Sequence, residues 1–278
     1  MQKGNKKIRK EETLMVIIHE EKCIGCGLCA KDCPAGKIKI KEGHAVYTSD
    51  CIQCGHCVAI CPQEAVSIPE YDMADVEEYS GSGFHLDPEN YLRAVKFRRS
   101  IRDFKEKKIP RELLEKSLEA GRYTPTAKNR QGCRFILVQE QLDELKELLW
   151  SQIPDMAEQL KKTFPQYSMF FKFLYRRRRD NPQDDGLFFN APAVLFITCS
   201  SSLDGGLAAS NIENMAVAQG LGVLYDGYLT RIVGACPRVK EWLGIEEESP
   251  LVCSMLVGYP AVSYKRTAPR KPADIDWR

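Results

Sequence analysis

Eight of the twelve cysteines in this 278-residue chain lie in two stretches that share one spacing. CIGCGLCAKDCP covers residues 23–34, CIQCGHCVAICP covers residues 51–62, and both have the form C-x2-C-x2-C-x3-C-P. Since no export signal is evident, the thiols are expected to stay reduced and to bind metal rather than form disulfides. A structural zinc site has no use for a third regularly spaced cysteine in each stretch. The spacing therefore predicts a larger metal centre.

These stretches resemble the bacterial ferredoxin domain with two 4Fe-4S clusters, and the resemblance covers residues 15–70. In that pattern, three cysteines of one stretch share a cluster with the last cysteine of the other stretch. The resemblance implies a first cluster bound by Cys23, Cys26, Cys29 and Cys61, and a second bound by Cys51, Cys54, Cys57 and Cys33. Between and after the motifs lie three short β-prone segments: KIKI, HAVYT and AVSI.

Composition indicates a globular chain with room for two domains, because 44% of its residues are hydrophobic and 28% are charged. The longest apolar runs are too short to span a bilayer, and the N-terminus lacks the apolar core of a signal peptide. We therefore expect a cytoplasmic protein without a membrane partner. The formal net charge of +2 gives no reason to expect nucleic acid binding.

The chain beyond the cysteine motifs is predicted to form a second domain. We expect a basic tail over residues 1–14, the cluster domain over 15–70, a polar linker over 71–90 and a domain over 91–278. Helical patterns such as PRELLEKSLEAGRYT alternate with buried-strand patterns such as RFILVQ and AVLFITC. This alternation predicts an α/β or α+β arrangement in the second domain, and we expect the whole chain to be of the α+β class.

Three stretches of the second domain carry residues suited to cofactor binding. In RRSIRDF, Arg98, Ser100 and Arg102 alternate, so that two guanidinium groups and a hydroxyl on one side of an extended segment can clamp a phosphate. In TPTAKNRQGCRFILV, the amides of Asn129 and Gln131 precede a buried strand, where they suit either a flat heterocycle or a turn. The third stretch, AVAQGLGVLYDGYL, has glycines that permit close backbone approach or cap a helix.

Residues 91–278 resemble the nitroreductase family of FMN flavoproteins. That family combines an RRSIRxF motif, a P(S/T)xxNxQPWRF loop, a GLGxxWxGG motif and a late GYP followed by a basic residue, here VGYPAVSYKRTAPRKP. The resemblance implies a homodimer with FMN at the subunit interface and NAD(P)H as a possible electron donor. It also implies an FMN site formed by Arg98, Arg99, Ser100, Arg102, Asn129, Gln131, Asp226, Gly227, Tyr228 and Arg270.

The chain departs from the family pattern in places that bear on its substrate. Gly132 and Cys133 replace the usual Pro-Trp, and YDGY replaces the usual WIGG. Residues 150–186 form a variable insertion whose aromatic side chains suit either a lid over the flavin or a packing surface for another subunit or domain. The RRRR run at 176–179 is expected to be a solvated face.

Together these features predict an FMN-dependent oxidoreductase. Electrons from reduced ferredoxin or a similar donor would pass through two 4Fe-4S clusters to FMN and on to a nitroaromatic compound, a quinone or an activated alkene. The alternative is an electron-transfer protein that relays electrons to or from a protein partner, with its basic segments as the docking surface. No side chain is required as a general acid, so no catalytic residue is predicted.

Overall fold

The computed structural model describes residues 15–79 and 85–278. The predicted basic tail, residues 1–14, and part of the predicted linker, residues 80–84, lie outside the described residues. The chain divides into two compact units. The cysteine-rich unit comprises Met1–His85 and Ala127–Arg130, and the sheet unit comprises Leu86–Thr126 and Gln131–Arg278. The assignment of Ala127–Arg130 to the first unit has no counterpart in the sequence-based prediction.

The described part of the cysteine-rich unit contains two short antiparallel strand pairs, two short α-helices and two 3-10 helices, Met73–Asp75 and Ala127–Asn129. Its strands and α-helices are β1 (Ile17–Ile18), α1 (Leu28–Asp32), β2 (Ile38–Lys41), β3 (His44–Tyr47), α2 (His56–Ala59) and β4 (Val66–Ser67). β1 pairs with β4, and β2 pairs with β3. The two α-helices begin after Gly27 and Gly55, whose φ angles of 76° and 75° are left-handed. Glycine adopts this conformation without a steric penalty, which lets each cysteine loop turn sharply into its helix.

The sheet unit contains a four-stranded antiparallel sheet with helices on both faces. Its strands are β5 (Arg134–Val138), β6 (Ala193–Thr198), β7 (Gly222–Tyr225) and β8 (Leu251–Gly258). Its helices are α3 (Pro88–Phe97), α4 (Arg111–Arg122), α5 (Leu142–Leu160), α6 (Pro165–Asp180), α7 (Ser202–Ala218), α8 (Gly227–Ala235) and α9 (Pro237–Leu243). The strand order is β5-β6-β8-β7, and every pairing in this sheet is antiparallel.

Alternate residues of the strands face two separate hydrophobic layers. Val194 and Phe196 of β6 face a layer that includes residues of α5, α6, α8 and α9. Leu195 and Ile197 face the layer that includes residues of α4 and α7. Because β6 is covered on both faces, all six of its residues are buried. The mixture of helices and sheet confirms the α+β class predicted for the chain.

Ser100 and Ile101 lie beside β7 and so bring one predicted cofactor motif to the strand that precedes another. The backbone N–H of Ile101 donates to the Val223 carbonyl at 3.1 Å, and Ser100 forms a parallel bridge with Val223. Gly222 permits this approach, since a Cβ there would lie 2.5 Å from the Ile101 side chain. A larger residue at position 222 would therefore displace the segment.

Candidate functional site

The eight motif cysteines surround two separate cavities in the cysteine-rich unit. One cavity is lined by Cys23, Cys26, Cys29 and Cys61. The other is lined by Cys33, Cys51, Cys54 and Cys57. Each cavity thus combines three thiols of one motif with the last thiol of the other, which is the grouping implied by the ferredoxin resemblance. All eight cysteines are free of disulfides.

Backbone N–H groups are directed at four of these sulfurs. Ala45 donates to Cys23 Sγ at 3.4 Å and Ala65 to Cys61 Sγ at 3.2 Å in the first cavity. In the second cavity, Lys37 donates to Cys33 Sγ at 3.3 Å and Gln53 to Cys51 Sγ at 3.2 Å. Such hydrogen bonds stabilise negative charge on a thiolate. Burial acts in the opposite direction and raises the pKa of the Cys57 thiol to about 11.

These thiols fit an iron–sulfur cluster better than a single ion. In residues 15–79 and 85–278, no group of three or more His, Cys, Asp or Glu side chains has the geometry to hold one metal ion. In a 4Fe-4S cluster each thiolate binds a different iron, so the four sulfurs stand apart around a bulky centre. A bound cluster would also keep the thiolates deprotonated despite their burial.

Asn129 belongs to the cysteine-rich unit and contacts the loop of the second motif. Its Nδ2 donates to the Gln53 carbonyl at 2.8 Å and to the Ile52 carbonyl at 3.3 Å, and lies 3.3 Å from the Tyr71 hydroxyl. Lys128 and Asn129 both have positive φ angles, 55° and 53°. The structure therefore assigns the amide of Asn129 to backbone carbonyls between two motif cysteines, and a contact with flavin stays a prediction.

A cavity of about 310 Å³ lies in the sheet unit at the end of β7. It is lined by Arg102, Tyr167, Phe189, Leu224, Tyr225, Asp226, Gly227, Tyr228 and Arg231. Four of these residues were predicted to contact FMN: Arg102, Asp226, Gly227 and Tyr228. They come from two segments far apart in the sequence, which the contacts of Ser100 and Ile101 with β7 bring together.

Asp226 caps the helix that forms one wall of this cavity. Its carboxylate accepts a hydrogen bond from the backbone N–H of Leu229 at 2.9 Å, and its side chain is buried. Burial raises the pKa of this carboxyl, while hydrogen bonds from Leu229 and Tyr228 and the charge of Arg102 oppose the rise. The carboxylate thus fixes the start of α8 and the backbone of Gly227 beside the cavity.

Aromatic residues of the 150–186 insertion pack against the same segment. The ring of Phe170 stacks on Tyr228 with centroids 4.3 Å apart, while Tyr167 and Phe171 meet Tyr228 edge to face at 6.3 Å and 6.1 Å. The Arg231 guanidinium lies 4.2 Å from the centroid of the Tyr167 ring. Helix α6 therefore forms part of the cavity wall. This contact accords with the predicted lid, while a packing role of the insertion against another subunit stays open.

Arg98 and Ser100 lie on the segment beside β7, and Arg98 is held by a buried carboxylate. Its guanidinium donates to Glu213 Oε1 at 2.9 Å. The side chain of Glu213 is 8% exposed and that of Arg98 is 27% exposed. Burial raises the pKa of Glu213, and Arg98 and Tyr225 counteract the rise through their charge or hydrogen bonds. Arg98 thus has a defined position without any ligand.

Six predicted cofactor residues do not line the cavity: Arg98, Ser100 and Asn129, whose contacts are given above, and Arg99, Gln131 and Arg270. The Arg99 guanidinium lies 5.8 Å from the Tyr264 ring centroid. The backbone N–H of Gln131 donates to Thr126 Oγ1 at 2.9 Å, and Gln131 has a φ angle of 48°. Arg270 is exposed, and its guanidinium contacts the Pro269 carbonyl at 3.3 Å. Roles of these residues at a phosphate or flavin ring stay predictions.

Sequence reasoning missed Phe189, Arg231 and Glu213. Phe189 lines the cavity with a positive φ of 53°, which no local motif indicates. Arg231 follows Tyr228 and Gly227 by three and four residues, so helical spacing from the third motif would have placed it nearby. Glu213 was recognisable as a carboxylate among the small and apolar residues of α7.

Comparison with known proteins agrees with the two units. The sequence profile of the Nitroreductase family matches residues 95–259, more than half of the chain. This chain belongs to the nitroreductase family. A 4Fe-4S dicluster domain matches residues 15–62, so this nitroreductase carries an N-terminal iron–sulfur domain. Both family resemblances seen in the sequence are confirmed.

Relatives of this nitroreductase are distant in sequence. A protein of Methanothermobacter thermautotrophicus, provisionally named NADH dehydrogenase/NAD(P)H nitroreductase, is 26% identical over 182 residues, which cover 61% of this chain and 77% of the relative. A nitroreductase of Desulfitobacterium hafniense, solved with bound FMN, superposes with a TM-score of 0.52 at 24% identity. A nitroreductase of Bacteroides fragilis, also solved with FMN, superposes with a TM-score of 0.52 at 22% identity. Each structural match covers 67% of this chain and 98% of the other, and shows the shared fold.

The described helices give no candidate for a membrane span. Within residues 15–79 and 85–278, none combines the length and the apolar character that crossing a bilayer requires.

Proposed function

We propose that this nitroreductase is an FMN-dependent oxidoreductase that receives electrons from a ferredoxin-type donor through two 4Fe-4S clusters and reduces a small electrophile. The observation that carries the proposal is the grouping of eight thiols into two sets of four, in a chain that also has a nitroreductase domain. Two clusters supply single-electron steps, and FMN supplies storage of two electrons for delivery to the substrate.

The cavity at the end of β7 supports flavin binding by its size and its side chains. Its volume of about 310 Å³ lies at the lower end of the range of small-molecule sites. Tyr228 and Tyr167 offer aromatic walls for a planar ring, and Arg102 offers a cation. We propose that Arg102 and the backbone of Asp226, Gly227 and Tyr228 hold the ring.

The phosphate of FMN requires cations that the ring site does not use. We propose that Arg98 and Arg270 contribute cations and Ser100 a hydroxyl donor, with Arg99 nearby, and that Asn129 and Gln131 contact the ring region. Arg98 lies on the same segment as Arg102, and Glu213 fixes its position while offsetting part of its charge. The support for Arg99, Asn129, Gln131 and Arg270 is the family motif alone.

The proposed enzyme is a homodimer, as the family resemblance implies. Helix α3 supports this, because its side chains Tyr91, Leu92, Val95 and Phe97 are all 43% exposed or more. Apolar groups in such a row are typical of a surface covered by a partner. Light scattering of the FMN-loaded protein tests the assembly, and a stable loaded monomer would contradict it.

The relay alternative depends on a free basic docking surface, and the arginine run on α6 gives it little support. Arg177 pairs with Asp184 at 2.6 Å and Arg179 with Asp180 at 2.8 Å. The Arg178 guanidinium lies 5.8 Å from the Trp150 ring centroid. These contacts occupy much of the charge that would attract an acidic partner. The other basic segment, KGNKKIRK, lies outside the described residues.

The division between electron entry and substrate reduction is tested with two sets of variants. Cys26→Ser with Cys54→Ser removes one thiolate from each cavity, while Arg102→Ala removes a cation from the flavin cavity. We expect the cysteine variant to keep FMN and to lose reduction by ferredoxin, although dithionite still reduces its flavin. The arginine variant should keep iron and bind FMN more than tenfold more weakly, since a charge-assisted hydrogen bond contributes about 1.5–3 kcal/mol.

The same assay compares ferredoxin with NADH and NADPH as donors and a panel of nitroaromatics, quinones and activated alkenes as acceptors. Reduction of FMN by ferredoxin at the wild-type rate in a folded, flavin-loaded cysteine variant would exclude the clusters as the route. Absence of reoxidation by every acceptor would favour the relay alternative.

A further inference from the structure

The two cysteine motifs are repeats, but different parts of the chain cover them. An offset of 28 residues makes Gly25 of the first motif equivalent to Gln53 of the second, and both have left-handed φ angles, 65° and 49°. At Gly25 the turn between β2 and β3 lies so close that a Cβ would be 1.9 Å from the Gly43 carbonyl oxygen. At Gln53 the neighbouring group is the side-chain amide of Asn129.

The amide of Asn129 reaches both carbonyls of this loop. Nδ2 is 2.8 Å from the Gln53 oxygen and 3.3 Å from the Ile52 oxygen. The Ile52 carbonyl and the Gln53 N–H are the two ends of one peptide group. That same N–H donates to Cys51 Sγ at 3.2 Å. A hydrogen-bonded path of one peptide group therefore connects Asn129 to a sulfur predicted to ligate the second cluster.

Polarisation along this path favours extra negative charge on the sulfur. A donor at the carbonyl oxygen of a peptide group makes its N–H a stronger donor, because consecutive hydrogen bonds strengthen each other. Hydrogen bonds to cluster sulfurs are among the features that set the reduction potential. They stabilise the reduced, more negative cluster, so they raise its potential.

The backbone around Asn129 has left-handed conformations that fix the position of its side chain. Lys128 and Asn129 occupy the left-handed region in succession, and Gln131 follows with a φ of 48°. This region is unfavourable for residues other than glycine, although asparagine tolerates it. Strained backbone of this kind persists where the surrounding structure requires one geometry.

We propose that Asn129 is a positioning residue that raises the reduction potential of the second cluster through the Ile52–Gln53 peptide. The proposal rests on the two-cluster function proposed above. It assigns a redox role to a residue that the flavin motif alone would give only a flavin contact. It also makes the two clusters unequal, because the Asn129 amide donates to carbonyls in the loop of the second motif.

The test is a potentiometric titration of the reconstituted full-length protein, followed by electron paramagnetic resonance, after iron and sulfide have been counted. In Asn129→Ala we expect one of the two reduction waves to move to lower potential and the other to stay. For a one-electron couple, a shift of about 59 mV in the potential of one cluster changes the equilibrium constant for electron transfer between the two clusters tenfold. Asn129→Asp keeps the side-chain volume but directs an acceptor at the carbonyls, so its shift should be at least as large.

Tyr71→Phe is the matched control. It removes a hydroxyl 3.3 Å from Asn129 Nδ2 but leaves both hydrogen bonds to the loop. Both waves should stay in place in this variant. A shift as large as that of Asn129→Ala would overturn the proposal, because it would show a general response to changes at this surface.

Two further results would also overturn it. One is an unshifted pair of waves in Asn129→Ala, or in Asn129→Asp if the alanine variant does not accept its full iron. The other is an equal shift of both waves, which would indicate a change in the whole unit. If the wild-type protein holds fewer than two clusters, the proposed function is refuted as well. If it holds two clusters and the variants leave both reduction potentials unchanged, only the inference about Asn129 is refuted.

Discussion

Arg98 and Glu213 form an ion pair in which a guanidinium nitrogen lies 2.9 Å from a carboxylate oxygen. Glu213 lies on α7 and is almost completely buried, whereas Arg98 follows α3 and is partly exposed. The carboxylate therefore depends on Arg98 for charge compensation, and Arg98 depends on the carboxylate for its position. A motif arginine predicted to bind phosphate is thus also part of the packing of the sheet unit.

Removing Arg98 alone should destabilise the sheet unit. Arg98→Ala leaves the Glu213 carboxylate buried without its partner, and we expect a loss of about 3 kcal/mol in the free energy of unfolding. Urea denaturation followed by tryptophan fluorescence reports on this unit, since Trp150, Trp242 and Trp277 all belong to it. The double variant Arg98→Ala with Glu213→Gln should recover much of the loss. Equal stability of the single and double variants would contradict the role of the buried charge.

The same carboxyl predicts a pH dependence of stability. Burial raises the pKa of Glu213 above its ordinary value, about 4.3 in the unfolded chain. Between the unfolded and the folded pKa, the folded state binds more protons than the unfolded state. The protonated carboxyl therefore contributes its full stability below about pH 4.3, and this contribution is lost as pH rises through the folded pKa of Glu213. Between these values the free energy of unfolding of the wild type should fall relative to that of Glu213→Gln. Parallel curves in urea titrations over this pH range would refute the prediction.

The aromatic packing behind the cavity wall should affect FMN binding. Phe170→Ala removes a ring stacked on Tyr228 at 4.3 Å, a contact of about 0.5–1.5 kcal/mol beyond burial. We expect the Kd for FMN to rise by roughly two- to tenfold, because Tyr228 is proposed to form a wall beside the flavin ring. Phe173→Ala is the control on the same helix, because the Phe173 ring is 53% exposed and lies 5.5 Å from the Arg177 guanidinium. Equal Kd values for FMN in the two variants would rule out the proposed wall.

Gly222 should be intolerant of any side chain. In Gly222→Ala the new Cβ would meet Ile101 at 2.5 Å and Pro260 at 2.8 Å. Overpacking of this kind costs about 1–3 kcal/mol, and the displaced segment carries Ser100 and Arg102, so FMN affinity should fall as well. Gly206→Ala on α7 is the control, because nothing lies within 4 Å of its Cβ and the helix should gain up to about 1 kcal/mol. Urea denaturation and FMN fluorescence titration measure both effects.

Local patterns in the sequence were sufficient for much of the fold. Helix α3 begins at Pro88, close to the predicted end of the linker at residue 90, and proline at the first position and the Asp87 side chain, which accepts from the Asn90 N–H, define the start. The strand patterns RFILVQ and AVLFITC correspond to β5 and β6. Motifs with fixed spacing identified both domains, because cluster ligation and cofactor binding restrict residue types at short range.

Contacts between distant residues were not predictable in this way. Asn129 and Gln53 are 76 positions apart, and nothing in either motif indicates that an amide of one supports the loop of the other. Glu213 and Arg98 are separated by 115 positions. Such pairs depend on how whole elements pack, and a single sequence carries no local trace of that packing.

The four residues Ala127–Arg130 show that the two units are not two consecutive pieces of the chain. A simple gene fusion leaves one junction, and a protease cutting there would release two intact modules. Here the polypeptide changes from one unit to the other after His85, again after Thr126 and once more after Arg130. A cut in the linker would leave part of the iron–sulfur module attached to the flavin module. We therefore expect that replacing the iron–sulfur unit by that of a homologue requires replacing Ala127–Arg130 as well.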